Sequence, residues 1–126
     1  MTPVQISEKI RDHLINQNAQ SRGGTGNCRY RGENSNMCAI GCLIADEFYD
    51  ASLENKGSNH PLVLYALNQS GLDFKPGSMT AQMLKEWQCY HDGVYLRWVS
   101  ASEEKKLDHT SPAYMHQRFV TQLGIA

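Results

Sequence analysis

The sequence predicts a mostly α, compact single domain of four or five helices spanning residues 1–126. Three observations carry this. Apolar residues recur at helical spacing in Ile6–Ile10–Leu14, Met83–Trp87–Tyr90 and Met115–Phe119–Leu123. Ser, Thr or Asn stands just before most of these stretches, with Pro at the first helical position in several. The intervals between them are short and rich in Gly, Asn and Ser, which is turn chemistry. Room for a β element remains only around 28–31 and 94–99.

The first helix begins with Thr2 as cap, Pro3 at the first helical position and Gln5 completing a capping box. Its stripe is Ile6, Ile10 and Leu14, and "SRGGTGN" at 21–27 ends the region. "CRYR" at 28–31 reads as a brief extended segment and "GENSN" at 32–36 as a turn. Asn36 then suits an N-cap, and "MCAIGCLIADEFYD" predicts a second helix over 37–50 whose first turns are apolar all round, the mark of a buried helix. A strand pairing with "CRYR" in a hairpin is the competing reading, and Gly41 weakens both.

"SLENKGSN" is a loop. Ser58 or Asn59 caps a third helix, "HPLVLYALNQS", with Pro61 at its start and Gly71 just past its end. "LDFKPG" is a linking turn. Ser78 caps a fourth helix, "MTAQMLKEWQCYHD", which Gly93 stops. "VYLRWVSAS" reads as strand or helix, and Ser111–Pro112 opens the last helix, which Gly124 ends.

Bulk numbers bound the function. A chain of 126 residues is one domain and can bury a core without a metal or disulfides. Hydrophobic content of 40% and charged content of 20% are ordinary for a globular protein. A net charge of −1 argues against bulk electrostatic attraction to nucleic acid or an anionic membrane. No apolar run approaches the roughly 20 residues of a membrane span. The N-terminal stretch is polar and amphipathic, with no secretory h-region. The expected location is therefore the cytoplasm, where four cysteines serve as thiols or metal ligands rather than disulfides.

Three of those cysteines, Cys28, Cys38 and Cys42, crowd into fifteen positions. Packing is the first reading: Cys behaves as a small hydrophobe, and Cys38, Ala39, Gly41 and Cys42 together make a surface that another element can approach closely. Zinc is the second, with Cys28, Cys38, Cys42 and His91 as ligands and Cys89 or His60 in reserve. The Cys38–Cys42 spacing fits a clip loosely, and no second clip exists. A thiol hydrolase is the third. Cys38 in the first turn of a helix would be the nucleophile, activated by the helix dipole, with His91 or His60 as base and Asp92 as orienting group. Asp92 can orient His91 only if the helix has ended before it. Packing is preferred, and no cofactor is expected.

Arg22, Arg29 and Arg31 surround Tyr30 beside the glycine-rich loop. Arginines with an aromatic can grip a phosphate and stack on a base. With Trp98, a common type of binding hot spot, Arg29, Tyr30 and Arg31 form the expected binding patch. The loop lacks the Lys-Ser/Thr of a phosphate-binding loop, so nucleic acid is not the favoured partner. The alternative for Arg31 is a tie to a buried carboxylate or a helix end. His13, His109 and His116 lie among polar residues and read as surface, as does the charge run at 103–106.

The stretch also resembles a family of small bacteriophage and prophage accessory proteins. Their pattern is Cys-x-Tyr-Arg, a turn, Lys-Cys-Ala-x-Gly-Cys-Leu-Ile, an acidic-aromatic segment, then Leu-Gln-x-x-His-Asp. Cys28, Tyr30, Arg31, Cys38, Ala39, Gly41, Cys42, Leu43, Ile44, Gln88, His91 and Asp92 match. Met37, Ala45 and Trp87 depart from it, standing where lysine, proline and leucine are usual. The resemblance covers about 16–98 and implies a setting rather than a chemistry: a protein made in a bacterial host's cytoplasm that binds and modulates, typically inhibits, a host protein such as a defence component, or a small signalling nucleotide. It also leads us to expect Tyr30, Arg31, His91 and Asp92 in one network, with Arg31 paired to Asp92. A binding module, able to act as a homodimer, is the resulting expectation.

Overall fold

The computed structural model describes residues 1–17, 21, 29–92 and 112–122, with the side chains of 89–92 and 122 outside that description. The fold is mostly α. Among the described residues there are four helices: α1 (Pro3–Gln17), α2 (Pro61–Gln69), α3 (Met79–Asp92) and α4 (Pro112–Gln122). Between α1 and α2 lie four single 3-10 turns at Glu33–Ser35, Gly41–Leu43, Asp46–Phe48 and Ala51–Leu53. Among the described residues there, the one extended pairing is an antiparallel bridge, Arg31 with Met37. The segment 94–99 lies outside the described residues.

The helix ends follow local chemistry. Thr2 and Gln5 form the capping box reciprocally: the Thr2 N–H donates to Gln5 Oε1 at 2.9 Å and the Gln5 N–H to Thr2 Oγ1 at 3.3 Å. α2 departs from expectation, because its cap is His60, whose Nδ1 accepts from the Leu62 N–H at 3.2 Å. Pro61 explains this, since the residue before a proline is pushed into the extended region, and His60 sits at φ −68°, ψ 137°. At the other end Gly71 takes φ +102° and the Leu72 N–H reaches the Leu67 carbonyl at 3.1 Å, closing a Schellman motif over two buried leucines. Ser78 caps α3 as expected, accepting from the Ala81 N–H at 3.2 Å.

The core gathers Ile6, Ile10 and Leu14 of α1, Met83, Leu84 and Trp87 of α3, and Met115 and Phe119 of α4. The Trp87 and Phe119 rings meet at 5.3 Å between centroids, tilted by 51°. Two histidines expected at the surface do interior work instead. His13 Nε2 donates to the Met37 carbonyl at 2.8 Å. His116 is 9% exposed and bonds the fully buried Ser7.

The expected helix over 37–50 does not form. The segment is buried, as its composition requires: Cys38, Ala39, Ile40, Leu43 and Ile44 all belong to the core. Only short 3-10 turns and single local bonds form along it, and several of its backbone N–H groups are satisfied by distant partners instead. The Met37 N–H donates to Gln17 Oε1 at 2.7 Å, Cys38 to the Tyr30 carbonyl at 3.3 Å, Ile40 to Gln88 Oε1 at 3.2 Å and Ala45 to Ser70 Oγ at 2.8 Å. The hairpin reading is closer. Asn34 and Ser35 at φ 59° and 61° make the tight reversal that brings Met37 back beside Arg31.

Gly41 fixes how closely these two passes approach. A Cβ there would lie 2.1 Å from the Tyr30 carbonyl oxygen. Gly41→Ala should therefore cost about 3 kcal/mol or more through forced separation of backbone from backbone. Urea unfolding checks this, and an unshifted midpoint would show that the contact yields easily.

Candidate functional site

The irregular region is organised by one carboxylate. Glu54 follows the last 3-10 turn and is 8% exposed. Its Oε1 accepts the Tyr30 N–H at 2.9 Å; its Oε2 accepts the Arg31 N–H at 3.1 Å and the Tyr49 hydroxyl at 2.6 Å. Arg29 Nε stands 3.8 Å from Oε2. Two main-chain donors, a phenol and a guanidinium thus meet the demand of a buried anion. The Tyr49 hydroxyl is held above its ordinary pKa by burial and by its bond to Glu54.

Arg31 is latched. Its Nη1 donates to Asp46 at 2.7 Å and its Nη2 to the Ile44 carbonyl at 2.6 Å, and its guanidinium lies 4.9 Å from the centre of the Tyr49 ring. Nε is buried with no hydrogen-bond partner. The expected Arg31–Asp92 pair falls on a side chain outside the described residues; the contacts described for Arg31 come from the Ile44 carbonyl and the exposed carboxylate of Asp46. Tyr30 is 6% exposed and its hydroxyl donates to the Lys56 carbonyl, so its ring is a wall and not a stacking platform for a base. Of the expected binding residues that are described, Arg29 alone keeps a substantially exposed side chain, at 40%. Trp98 lies outside the described residues.

Beside this hub opens a cleft of about 250 Å³, lined by Arg29, Tyr30, Glu54, Asn55, Lys56, Gly57, Ser58 and Gln88. A second cleft of about 300 Å³ adjoins it at Ser58 and runs past Phe74 and Leu64 to Gln82 and Lys85. Arg29 stands at the rim of the first, above the buried Glu54, and suits a small anionic group there, while the Lys56 ammonium donates to the Ser52 carbonyl.

The thiols are set for packing. Cys38 is fully buried, and the Gly41 N–H donates to its sulfur at 3.2 Å. Without a helix at 37–50, the dipole argued to activate Cys38 is not there. Cys42 sits partly buried one turn on, its thiol donating to the Ala39 carbonyl at 3.1 Å. Burial pushes its pKa up to about 12, against smaller opposing influences from Lys9 and Arg31. His60, one candidate base, is occupied as the cap of α2. α3 continues through Asp92, whereas the orienting role required the helix to end before it. Cys28 and the side chains of Cys89, His91 and Asp92 lie outside the described residues, so of the proposed zinc ligands only Cys38, Cys42 and His60 are placed, and no three His, Cys, Asp or Glu residues among the described ones converge as a metal site would need.

Several matched positions do meet, through the main chain. Tyr30, Cys38 and Gly41 form one packed cluster, and Gln88 reaches it through Ile40. Glu54 was missed from sequence, because "SLENKGSN" carries only loop signals. Leu62 and Tyr65, 47% and 62% exposed one turn apart on α2, were also missed. Comparison with protein-family models, curated proteins and solved structures found no match.

Two outcomes follow from this geometry. Glu54→Gln should cost about 2–3 kcal/mol, since its amide turns two donors toward a site that offers donors; calorimetry or urea unfolding will register it, and a neutral effect would remove Glu54 as the hub. Alkylation at neutral pH, mapped by peptide mass, should leave Cys38 and Cys42 unmodified until urea is added. Rapid native labelling of Cys42 would contradict its raised pKa.

Proposed function

We propose that this protein is a phage-encoded accessory protein that acts in the host cytoplasm by binding and inhibiting a host protein. The setting rests on the motif resemblance at Cys28, Tyr30, Arg31, Cys38–Ile44, Gln88, His91 and Asp92. The observation that carries the binding reading is the cleft beside Glu54, with Arg29 and Lys56 over a braced floor. The cleft, with Arg29 at its rim, suits an acidic side chain presented by a protein. The Cys42 thiol supports the same reading, because a nucleophile needs its thiolate form and burial holds Cys42 in the neutral one. No helix among the described residues is long and apolar enough to cross a membrane.

Affinity capture from lysate of a bacterial host, with mass spectrometry of proteins and small molecules, tests the proposal. Arg29→Gln should abolish capture while changing stability by only about 1 kcal/mol, since it removes a long, partly exposed ion pair without adding a second anion beside Glu54. Cys38→Ala should keep the partner and affect infection only as far as it affects stability. A Cys38→Ala protein that stays folded, keeps its partner and loses all activity would replace binding with thiol catalysis.

A further inference from the structure

A second polar centre lies inside the helical half of the molecule. Trp87 of α3 donates its indole N–H to Ser7 Oγ of α1 at 3.1 Å, and Ser7 Oγ lies 2.8 Å from Nδ1 of His116 on α4. Ser7 and Trp87 are fully buried and His116 nearly so. α1 and α4 are the most extensively packed pair of helices among the described residues. We propose that His116 is a pH-sensitive latch, whose neutral ring closes a Trp87–Ser7–His116 hydrogen-bond chain and whose protonation loosens α4 from α1 and α3.

The direction of each bond argues for this. An indole N–H can only donate, so Ser7 Oγ is its acceptor. The Ser7 hydroxyl proton is then available to Nδ1, which accepts it only when the imidazole is neutral with its proton on Nε2. A protonated ring would turn Nδ1 into a donor. Ser7 Oγ would then face two donors, and its own proton would have to turn elsewhere within a fully buried site. The cation itself would also sit where little water reaches it.

Among the described residues, the charges acting on His116 come from α1. Arg11 disfavours the imidazolium, while Glu8 and Asp12 favour it, and Asp12 is engaged with Arg11 Nε at 2.9 Å. α3 contributes the uncharged indole of Trp87. Burial first and Arg11 second win, and hold His116 below its ordinary value of 6.5. A folded pKa below the unfolded one leaves the latch fully closed above that ordinary value. Stability is lost as the pH falls through it toward the lower folded value. The resulting device is a terminal helix that releases on mild acidification, separate from the Glu54 hub.

NMR of the intact wild-type chain tests the latch. Ring nitrogen shifts of His116 should report the Nε2–H tautomer at pH 7.5 and a titration midpoint below 6.5. Amide protection over Pro112–Gln122, corrected for intrinsic exchange, should fall between pH 7 and 5, by at most tenfold per pH unit for one linked proton. In His116→Gln, which cannot titrate, that pH dependence should vanish while protection elsewhere follows the wild type. A wild-type midpoint at or above 6.5, an Nδ1–H tautomer, or an equal fall in wild type and variant would each overturn the proposal, and the first two need no variant to fold.

Discussion

The hydrogen bonds from the main-chain N–H groups of Tyr30 and Arg31 to the buried carboxylate of Glu54 set the rest of the central region. A buried charge is tolerated only when its acceptor sites are filled, and here the filling groups belong to chain segments far apart in sequence. With Tyr30 pinned, its carbonyl is placed where the Cys38 N–H and Gly41 must meet it. That in turn fixes the course of the apolar run 37–45. The same anchoring leaves Arg29 at the rim of a cleft instead of inside it.

The helices are more than apolar walls around this run. Gln17 of α1 binds both the N–H and the carbonyl of Met37, in the manner of a neighbouring strand. Ser70 at the end of α2 accepts from Ala45, and Gln88 of α3 accepts from Ile40. An irregular backbone can be buried only if its polar groups find such partners, so these three side chains take the place of the missing helical hydrogen bonds. The small residues of the cysteine stretch are explained by the same crowding. Cys38, Ala39 and Gly41 lie where backbone presses on backbone, and neither sulfur needs a chemical role to account for its position.

The protein therefore joins two differently built halves. Around Glu54 a charged hub braces an irregular surface that can meet a partner. Between α1, α3 and α4 a hydrogen-bond chain through Ser7 links helices that also pack around Trp87 and Phe119. Charge satisfied by fixed donors resists change in pH near neutrality, whereas an imidazole in a buried chain responds to it.

What the sequence determined by itself was local. The capping box of Thr2 and Gln5, the stripe of Ile6, Ile10 and Leu14, the Ser78 cap, and the left-handed Gly71 all rest on contacts within about five residues, and each stands as its spacing implied. Composition also determined that 37–45 would be buried. Only the tertiary structure decided how. A run that is apolar on all sides has no periodicity to report its backbone conformation, and the choice between helix and turns fell to Gln17, Tyr30, Ser70 and Gln88, none of them near in sequence. For the same reason Glu54 looked like loop and His116 like surface. The role of a polar side chain is set by which donors and acceptors surround it after folding, and that information is spread across the whole chain.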